Sequence, residues 1–211
     1  MSGGLVLEGL RILRGGTPLL SLDLAVAPGE VVSVMGASGS GKSTLLAAVI
    51  GTLGPPFTMS GRVRLDGEDV TALPPERRGI GILFQDDLLF PHLSVGDNLA
   101  FGLARSVRGR AARRAAVEAA LAEVGLAGFA GRDPATLSGG QKLRVALMRT
   151  LLAEPRALLL DEPFSSLDAD RRAQVRSLVF ARAKDRGLPV LMVTHDGADA
   201  EAAGGPVVRL G

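Results

Sequence analysis

Cysteine, tryptophan and tyrosine are absent from this chain of 211 residues, and phenylalanine occurs only seven times. Without cysteine there is no disulfide framework and no thiolate metal site, which fits a reducing compartment and makes the cytosol the default location. With so few aromatic rings, the chain lacks a platform on which nucleic acid bases would stack. We therefore expect no nucleic acid partner.

Long apolar runs are also missing. The amino terminus, MSGGLVLEGL, has neither the basic flank nor the apolar stretch of a secretory signal. No run approaches the ~20 apolar residues of a membrane-spanning helix. The sequence therefore predicts a protein that is soluble when isolated.

Positive charge is concentrated in one place. The net charge is only +2 and the pI about 9.6, yet five arginines fall in the range Arg105 to Arg114. Such a cluster is compatible with nucleic acid or with anionic lipid headgroups. Because Val117, Leu121 and Val124 recur at helical spacing and Gly125 is placed as a C-cap, we interpret the arginines as the solvated face of a helix.

Short apolar runs alternate with helical patterns along the chain. VVSVM at 31–35, ALLLD at 157–161 and VLMVT at 190–194 are typical of buried parallel strands. Residues 3–30 and 61–70 instead carry the alternation and turn signals of antiparallel strands. The sequence thus predicts an α/β fold with a small antiparallel β-subdomain.

A helical lobe is expected at about 88–154, where alanine, leucine and arginine recur with helical periodicity and no convincing strand occurs. This lobe would be inserted between core strands. We expect a single domain over residues 1–211, whose core and β-subdomain occupy about 1–87 and 155–211.

A glycine-rich segment follows the first of the buried runs. It matches the pattern G-x-x-x-x-G-K-[ST] through Gly36, Ala37, Ser38, Gly39, Ser40, Gly41, Lys42 and Ser43, and Thr44 continues into a predicted helix. In this pattern backbone N–H groups surround the β-phosphate, Lys42 meets the β- and γ-phosphates, and Ser43 ligates Mg²⁺. An incidental glycine-rich turn would not need a strand before it and a helix after it. The pattern therefore predicts a P-loop NTPase with a RecA-like core.

Two acids at the end of the second buried run suit this chemistry. Asp161 would hold Mg²⁺ through water, and Glu162 would polarise the attacking water as general base. Many strands end in a capping acid, but two acids followed by Pro163, downstream of a phosphate loop, are less common.

Gln85 and His195 are further candidates at the ends of apolar runs. The amide of Gln85 would reach the Mg²⁺ shell and the attacking water, unless it is an ordinary loop glutamine. The imidazole of His195 would donate to the γ-phosphate, although a lone histidine at a strand end is more often structural.

Together these residues resemble the ATP-binding-cassette (ABC) ATPases, over essentially the whole chain and in the family's order. Residues 36–43 match the Walker A motif, Gln85 matches the Q-loop, and Leu137-Ser138-Gly139-Gly140-Gln141 matches the signature. Asp161-Glu162 matches Walker B, Ser165-Ser166-Leu167-Asp168 matches the D-loop, and His195 matches the switch motif. The signature is the most specific, because other phosphate-loop families lack it. The resemblance implies ATP as the nucleotide.

The resemblance also implies that two copies face each other head to tail, so that LSGGQ of one copy completes the nucleotide site of the other. Ser138 and the N–H groups of Gly139 and Gly140 would open a helix from Gln141 onward, whose N-terminus clamps the γ-phosphate. Asp168 is implied to sense the opposite site, while Ser165-x-x-Asp168 is also the pattern of a capping box.

A finer resemblance is to ATPase subunits of bacterial importers of the thiamine and polyamine type, through residues 84–95 and Thr194-His195-Asp196. It implies separately encoded permease subunits, a solute-binding protein and a peripheral position on the cytoplasmic face of the inner membrane. In this family the segment after Gln85 contacts the permease, and packing within the helical lobe is an equally good account of each candidate. The candidates are Leu88, Leu89, Phe90 and His92.

The chain departs from the family pattern at three points. Arg14 stands where an aromatic residue usually stacks on adenine, and a guanidinium defines that stacking less well, so base selectivity is expected to be loose. Lys142-Leu143-Arg144 replaces the commoner glutamine- and arginine-rich run after the signature. The chain ends soon after His195, so we expect no C-terminal regulatory domain.

The leading hypothesis is an ATP-hydrolysing motor subunit of a membrane importer that works as a homodimer. The alternative is a soluble cassette ATPase acting on nucleic acid or ribosomes, but such relatives carry two cassettes or a long coiled coil. A small-molecule kinase would have no use for LSGGQ. A non-hydrolysing regulatory cassette would not need Glu162 and His195.

Overall fold

A computed structural model describes residues 3–86 and 88–210 of the chain. Two compact units are distinguished by their internal contacts. The first comprises Met1–Ile82, Arg156–Glu162 and Phe180–Gly211, and the second comprises Leu83–Pro155 and Pro163–Val179. Within the described residues, no helix combines the length and the apolar character needed to cross a membrane.

One sheet of the first unit is antiparallel, as the alternating sequence predicts. Its strands, in the spatial order β2-β1-β4-β5, are β1 (Leu5–Arg14), β2 (Thr17–Val26), β4 (Phe57–Leu65) and β5 (Glu68–Asp69). In β1, alternate side chains are buried on both sides of a register shift, Leu5 and Leu7 before it and Leu10 and Ile12 after it, which gives the sheet one apolar face. The strand expected from residue 61 begins earlier, at Phe57.

The second sheet contains the three buried apolar runs, and all three are strands with the predicted bounds. Its strands, in the order β6-β7-β8-β3-β9, are β3 (Val31–Met35), β6 (Ile80–Leu83), β7 (Ala157–Asp161), β8 (Val190–Thr194) and β9 (Val207–Arg209). The parallel register pairs Met35 with Thr194 and Asp161 with Val193. The carboxyl ends of β3, β7 and β8 therefore meet at one edge of the sheet.

Six α-helices lie between these strands in the described part of the chain. They are α1 (Lys42–Ile50), α2 (Val95–Phe101), α3 (Arg110–Glu123), α4 (Gly139–Leu151), α5 (Ala169–Asp185) and α6 (Gly197–Ala203). α1 packs against β7 and β8. α2, α3 and α4 belong to the second unit, and α5 begins there.

The second unit contains a buried polar residue, Asn98, that the sequence did not single out. Asn98 of α2 is fully buried and accepts a hydrogen bond from the Phe90 N–H at 2.8 Å. Its amide donates to the carbonyls of Phe90, Leu93 and Ser94 at 3.0 to 3.2 Å. Asn98 therefore fixes the segment that precedes α2.

The solvated helix face predicted for the arginine cluster is only partly correct. α3 buries Val117 and Leu121 and ends just before Gly125, whose φ is +71°. However, Arg105 and Arg108 precede the helix. Arg113 on the helix is half-buried, because its guanidinium donates to the carbonyls of Ala100 and Val107.

Candidate nucleotide site

The phosphate loop joins β3 to α1, and its glycines meet specific backbone demands. Gly41 has φ +91° in the left-handed region, and a Cβ atom there would lie 3.0 Å from Leu20 Cδ2. A larger residue would be both strained and crowded. Gly41 thus lets the chain turn directly into α1, so that the N-terminus of the helix faces the loop.

Lys42 lies inside this loop. Its side chain is only 7% exposed, and Nζ donates to the carbonyl oxygens of Gly36 at 2.8 Å and Ala37 at 3.1 Å. Among the described residues, the buried Ser40 Oγ has no hydrogen-bond partner. An unpaired buried hydroxyl beside an ammonium group and a helix N-terminus suits a phosphate oxygen as its missing partner.

The far end of α1 is fixed by Arg78, which the sequence did not mark as important. Arg78 is 5% exposed and donates to the carbonyls of Ala48 and Val49, the last turn of α1, at 3.0 and 2.7 Å. It also donates to Leu73 and Thr71. A cation at a helix C-terminus complements the helix dipole, so Arg78 stabilises the helix that carries Lys42.

Asp161 lies at the end of β7 and faces α1. Its Oδ1 accepts a hydrogen bond of 3.3 Å from Ser43 Oγ. Burial raises the pKa of Asp161 above its ordinary value, and the neighbouring Glu162 raises it further, whereas Ser43 and Lys42 lower it. A partly desolvated carboxylate gains from a bound cation.

Ser43 Oγ and Asp161 Oδ1 are oxygen ligands of the kind that Mg²⁺ binds. Within residues 3–86 and 88–210, no group of three or more histidine and acidic side chains is arranged to hold a metal ion. Mg²⁺ is commonly bound by one or two protein oxygens together with water and substrate phosphates. Ser43 and Asp161 fit that pattern, and the assignment of Mg²⁺ to them stays a prediction.

Glu162 follows Asp161 in an unusual backbone conformation, with φ +45°. Its N–H is held by the Val193 carbonyl at 3.0 Å. One carboxylate oxygen lies 3.7 Å from Lys42 Nζ and the other 2.9 Å from His195 Nδ1. Strained conformations of this kind persist where the surroundings fix them, often at functional sites.

His195 lies directly after β8, and its side chain is 62% exposed. A side chain this exposed does not pack in the core. Its ring contacts Glu162 instead, and Asp196 next to it caps α6 through the Ala198 N–H at 2.8 Å. The structure thus brings Lys42, Glu162 and His195 together in the first unit.

The signature segment lies in the second unit, at the N-terminus of α4. The helix begins at Gly139, two residues earlier than the predicted start at Gln141. Ser138 is the N-cap residue, and its N–H donates to Gln141 Oε1 at 2.9 Å. The side chain of Gln141 is thus engaged within its own chain, while the first N–H groups of the helix have no helical partner.

Nothing in the described chain requires glycine at the first two positions of α4. A Cβ atom on Gly139 would lie 3.4 Å from Leu167 Cδ2, and one on Gly140 would lie 3.4 Å from Val175 Cγ2. These are ordinary van der Waals contacts, and neither glycine has a positive φ. Among the described residues, steric demands therefore do not account for the two glycines, and the role of this segment at the nucleotide site of a second copy stays a prediction.

Asp168 caps α5, and the capping box suggested with Ser165 is not the arrangement found. Asp168 itself precedes the helix, and its Oδ1 accepts from the Arg171 N–H at 3.0 Å. Its carbonyl accepts from Arg172 at 2.8 Å. The capping role is therefore realised by Asp168, and its role in sensing a second site stays a prediction.

Gln85 and Arg14 are exposed in the structure. Gln85 follows β6 in the second unit, and Arg14 ends β1 in the first. Among the described residues, no hydrogen bond joins Arg14 to the phosphate loop. The role of Gln85 at Mg²⁺ and the role of Arg14 at the nucleotide base stay predictions.

The candidate permease contacts differ in exposure. Leu88 is 56% exposed and His92 is exposed, whereas Leu89 and Phe90 are half-buried. The Phe90 ring packs edge to face on Phe101, with 4.8 Å between centroids. Packing within the lobe thus accounts for Phe90 but not for Leu88.

Known proteins resemble this chain over most of its length. The family described as ABC transporter matches residues 19–165. The chain is 49% identical to the uncharacterized ABC transporter ATP-binding protein YnjD of Escherichia coli over 87% of its length and 84% of that protein. It is 47% identical to the thiamine import ATP-binding protein ThiQ of Jannaschia, over 92% of this chain and 83% of that protein. A putative 2-aminoethylphosphonate import ATP-binding protein, PhnT of Salmonella choleraesuis, is 44% identical over 94% of this chain, which spans only 54% of it. The chain therefore belongs to the ABC transporter family, as one of its ATP-binding proteins with ATPase activity.

Proposed function

We propose that this chain is the motor subunit of a membrane importer and works as a head-to-tail homodimer. ATP would lie between the phosphate loop of one copy and the segment 138–141 of the other. The observation that carries this proposal is the start of α4, where Gly139 and Gly140 leave helix N–H groups bare although their own chain would accept a Cβ atom. A triphosphate bound in the phosphate loop of a second copy would explain these glycines, because its oxygens would accept hydrogen bonds from the bare N–H groups.

Hydrolysis would use the groups that the first unit brings together. Glu162 takes a proton from water as the water oxygen bonds to the γ-phosphorus and the bond to the β-phosphate oxygen breaks. His195, 2.9 Å from Glu162, orients that carboxylate and donates to the γ-phosphate. Ser43, Asp161 and Gln85 would hold Mg²⁺, which when bound neutralises charge on the phosphates.

Lys42 would couple nucleotide binding to the state of Glu162, the proposed general base. Its ammonium group lies 3.7 Å from the Glu162 carboxylate and donates to two loop carbonyls. Phosphate oxygens compete for the same ammonium group, so binding would weaken its interaction with Glu162. Loss of the γ-phosphate after hydrolysis would remove the charge that holds the two copies closed, and Asp168 would sense this change in the opposite site.

The importer role rests on the relatives and on the surface of the second unit. Two of the three relatives are named as import ATP-binding proteins. Leu88 and His92 are exposed where a permease helix would dock, and large exposed apolar side chains often mark such contacts. The subunit would lie on the cytoplasmic face of the inner membrane, with permease subunits and a solute-binding protein as partners. We propose that residues 1–211 act as one ATPase domain with a helical lobe at about 88–154.

Mixing two inactive variants tests whether the site is shared. Ser138→Arg blocks the signature, and Lys42→Ala removes the loop cation. In a mixed dimer, the loop of the first variant meets the signature of the second, so one of the two sites is intact. Because about half of randomly paired dimers are mixed, an equimolar mixture should recover about a quarter of wild-type ATPase sites.

Each variant measured alone at the same total concentration is the control. No recovery on mixing, with both variants folded by circular dichroism, contradicts site sharing. Recovery in either variant alone would show that its substituted residue is dispensable.

A further inference from the structure

The connection from α2 to α3 and the first turns of α3 carry four exposed arginines. These residues, which we call the arginine strip, are Arg105, Arg108, Arg110 and Arg114. No aspartate or glutamate occurs from Asn98 to Val117. The strip is therefore a local concentration of one charge on a chain whose net charge is only +2.

The four guanidinium groups have no partner within residues 3–86 and 88–210, by hydrogen bond or by ion pair. Elsewhere in the described chain, the guanidinium group of Arg156 is paired with Asp66 at 2.9 Å and with Glu68 at 2.7 Å. Neighbouring like charges repel each other and give no stability to the fold. An anionic partner outside the chain would satisfy them.

The strip is held in place by the fold. Arg113, in the middle of the cluster, donates to the Ala100 carbonyl at 2.7 Å and to the Val107 carbonyl at 3.4 Å. The Ala104 N–H donates to the Leu152 carbonyl at 2.9 Å. These bonds fix the connection against α3 and α4, so the backbone of the segment that carries the four arginines is held in place.

An apolar ring accompanies the strip. Phe101, the last residue of α2, is 70% exposed. The Phe90 ring packs against it edge to face. Gly102 follows, where a Cβ atom would overlap the carbonyl oxygen of Arg149, so the end of α2 is seated closely on α4. The ring of Phe101 is thus displayed beside the arginines.

We propose that the arginine strip and Phe101 bind the anionic headgroups of a lipid surface. Lipid phosphate oxygens accept hydrogen bonds from guanidinium groups, and a single exposed ring inserts at the interface, so charge and apolar contact act as two signals. The adjoining cleft of about 620 Å³ is also lined by Asp97 and Glu118. An acidic protein segment entering that cleft would meet Asp97 and Glu118 beside Arg110 and Arg114. Arg105, Arg108 and Phe101 do not line the cleft, so they remain available to an anionic surface outside it.

Vesicle sedimentation of the purified full chain tests this proposal. The chain should sediment with vesicles that contain phosphatidylglycerol, not with pure phosphatidylcholine, and binding should be lost at about 0.5 M salt. Replacing all four strip arginines with glutamine should weaken binding by about fivefold per residue, several hundred-fold in total. Phe101→Ser should weaken binding less than the four arginine substitutions do. The fold-change in binding that Phe101→Ser causes should not depend on the salt concentration.

A matched control removes the same charge elsewhere. The variant with Arg11→Gln, Arg77→Gln, Lys184→Gln and Arg209→Gln changes exposed residues of the first unit and should bind anionic vesicles far better than the strip variant. Equal loss in both variants would show that net charge alone matters and would overturn the proposal. Thermal melts establish that each variant is folded.

One result would refute the lipid proposal, and two others would assign the strip to another ligand. If the wild-type chain fails to sediment with anionic vesicles, the lipid proposal is wrong. If the strip variant then also loses a co-expressed permease, the partner is an acidic protein segment. If inorganic phosphate releases the chain more effectively than chloride of equal ionic strength, the ligand is free phosphate rather than a lipid surface.

Discussion

Replacing the signature glycines with alanine should separate stability from activity. Gly139 and Gly140 occupy the first two positions of α4, and the added Cβ atoms would lie 3.4 Å from Leu167 and from Val175. These contacts are ordinary, so the substitution introduces no clash within the chain. Each alanine instead favours the helix.

The expected gain in unfolding free energy is at most about 1 kcal/mol for each substitution. For a chain of this size that gain corresponds to a rise in Tm of about 2–4 °C. The expected effect on turnover is opposite, because the added methyl groups reduce the space around the helix N–H groups that a phosphate bound by the second copy would approach. Loss of one such donor lowers turnover by about 10²-fold or more.

The assay combines differential scanning calorimetry with steady-state ATPase measurements on each variant. Gly197→Ala, at the first position of α6, is the matched control, because its Cβ atom would point into open space. It should raise Tm by a similar amount and leave turnover unchanged. Wild-type turnover in Gly139→Ala and Gly140→Ala together would refute the argument that the bare backbone serves a second copy.

Three further results are expected. Asp161→Asn should raise stability at pH 7, because burial raises the pKa of Asp161 in the folded chain: the ionised carboxylate then costs stability as pH rises above 3.8. The difference in Tm should shrink as pH falls towards that value, and a constant difference would contradict this reasoning. With the exposed Arg14 as the base contact, GTP should compete well with ATP, whereas strict ATP selectivity would show that another residue recognises the base. Asn98→Ala should lower the unfolding free energy by about 1–3 kcal/mol, since Phe90 loses two hydrogen bonds; unchanged urea denaturation would contradict the role of this residue.

The sequence predicted the elements that surround the phosphates, because their patterns are local. VVSVM, ALLLD and VLMVT are continuous apolar runs, and each is a buried strand with the expected bounds. The carboxyl ends of these strands coincide in register. Glu162 and His195, each one residue beyond a strand, therefore meet at 2.9 Å.

Features that depend on distant partners could not be read from the sequence. Arg78 looks like a surface residue until its contacts with the end of α1 are seen, 29 and 30 residues away. Arg113 is indistinguishable in sequence from the exposed arginines beside it, yet it bonds to Ala100 and Val107. Ser165 and Asp168 both suit a helix cap in the sequence, and only the position of the first helical turn shows that Asp168 is the residue that caps α5.

The central claim is that ATP is held between two copies of this chain. Glu162→Gln should bind ATP but turn it over about 10²- to 10⁴-fold more slowly, which traps the bound state. Size-exclusion chromatography with light scattering should then show a dimer in the presence of ATP and Mg²⁺ and a monomer without nucleotide. The double variant Glu162→Gln, Ser138→Arg should remain monomeric under both conditions. A Glu162→Gln protein that binds ATP yet remains a monomer at saturating nucleotide would contradict the account.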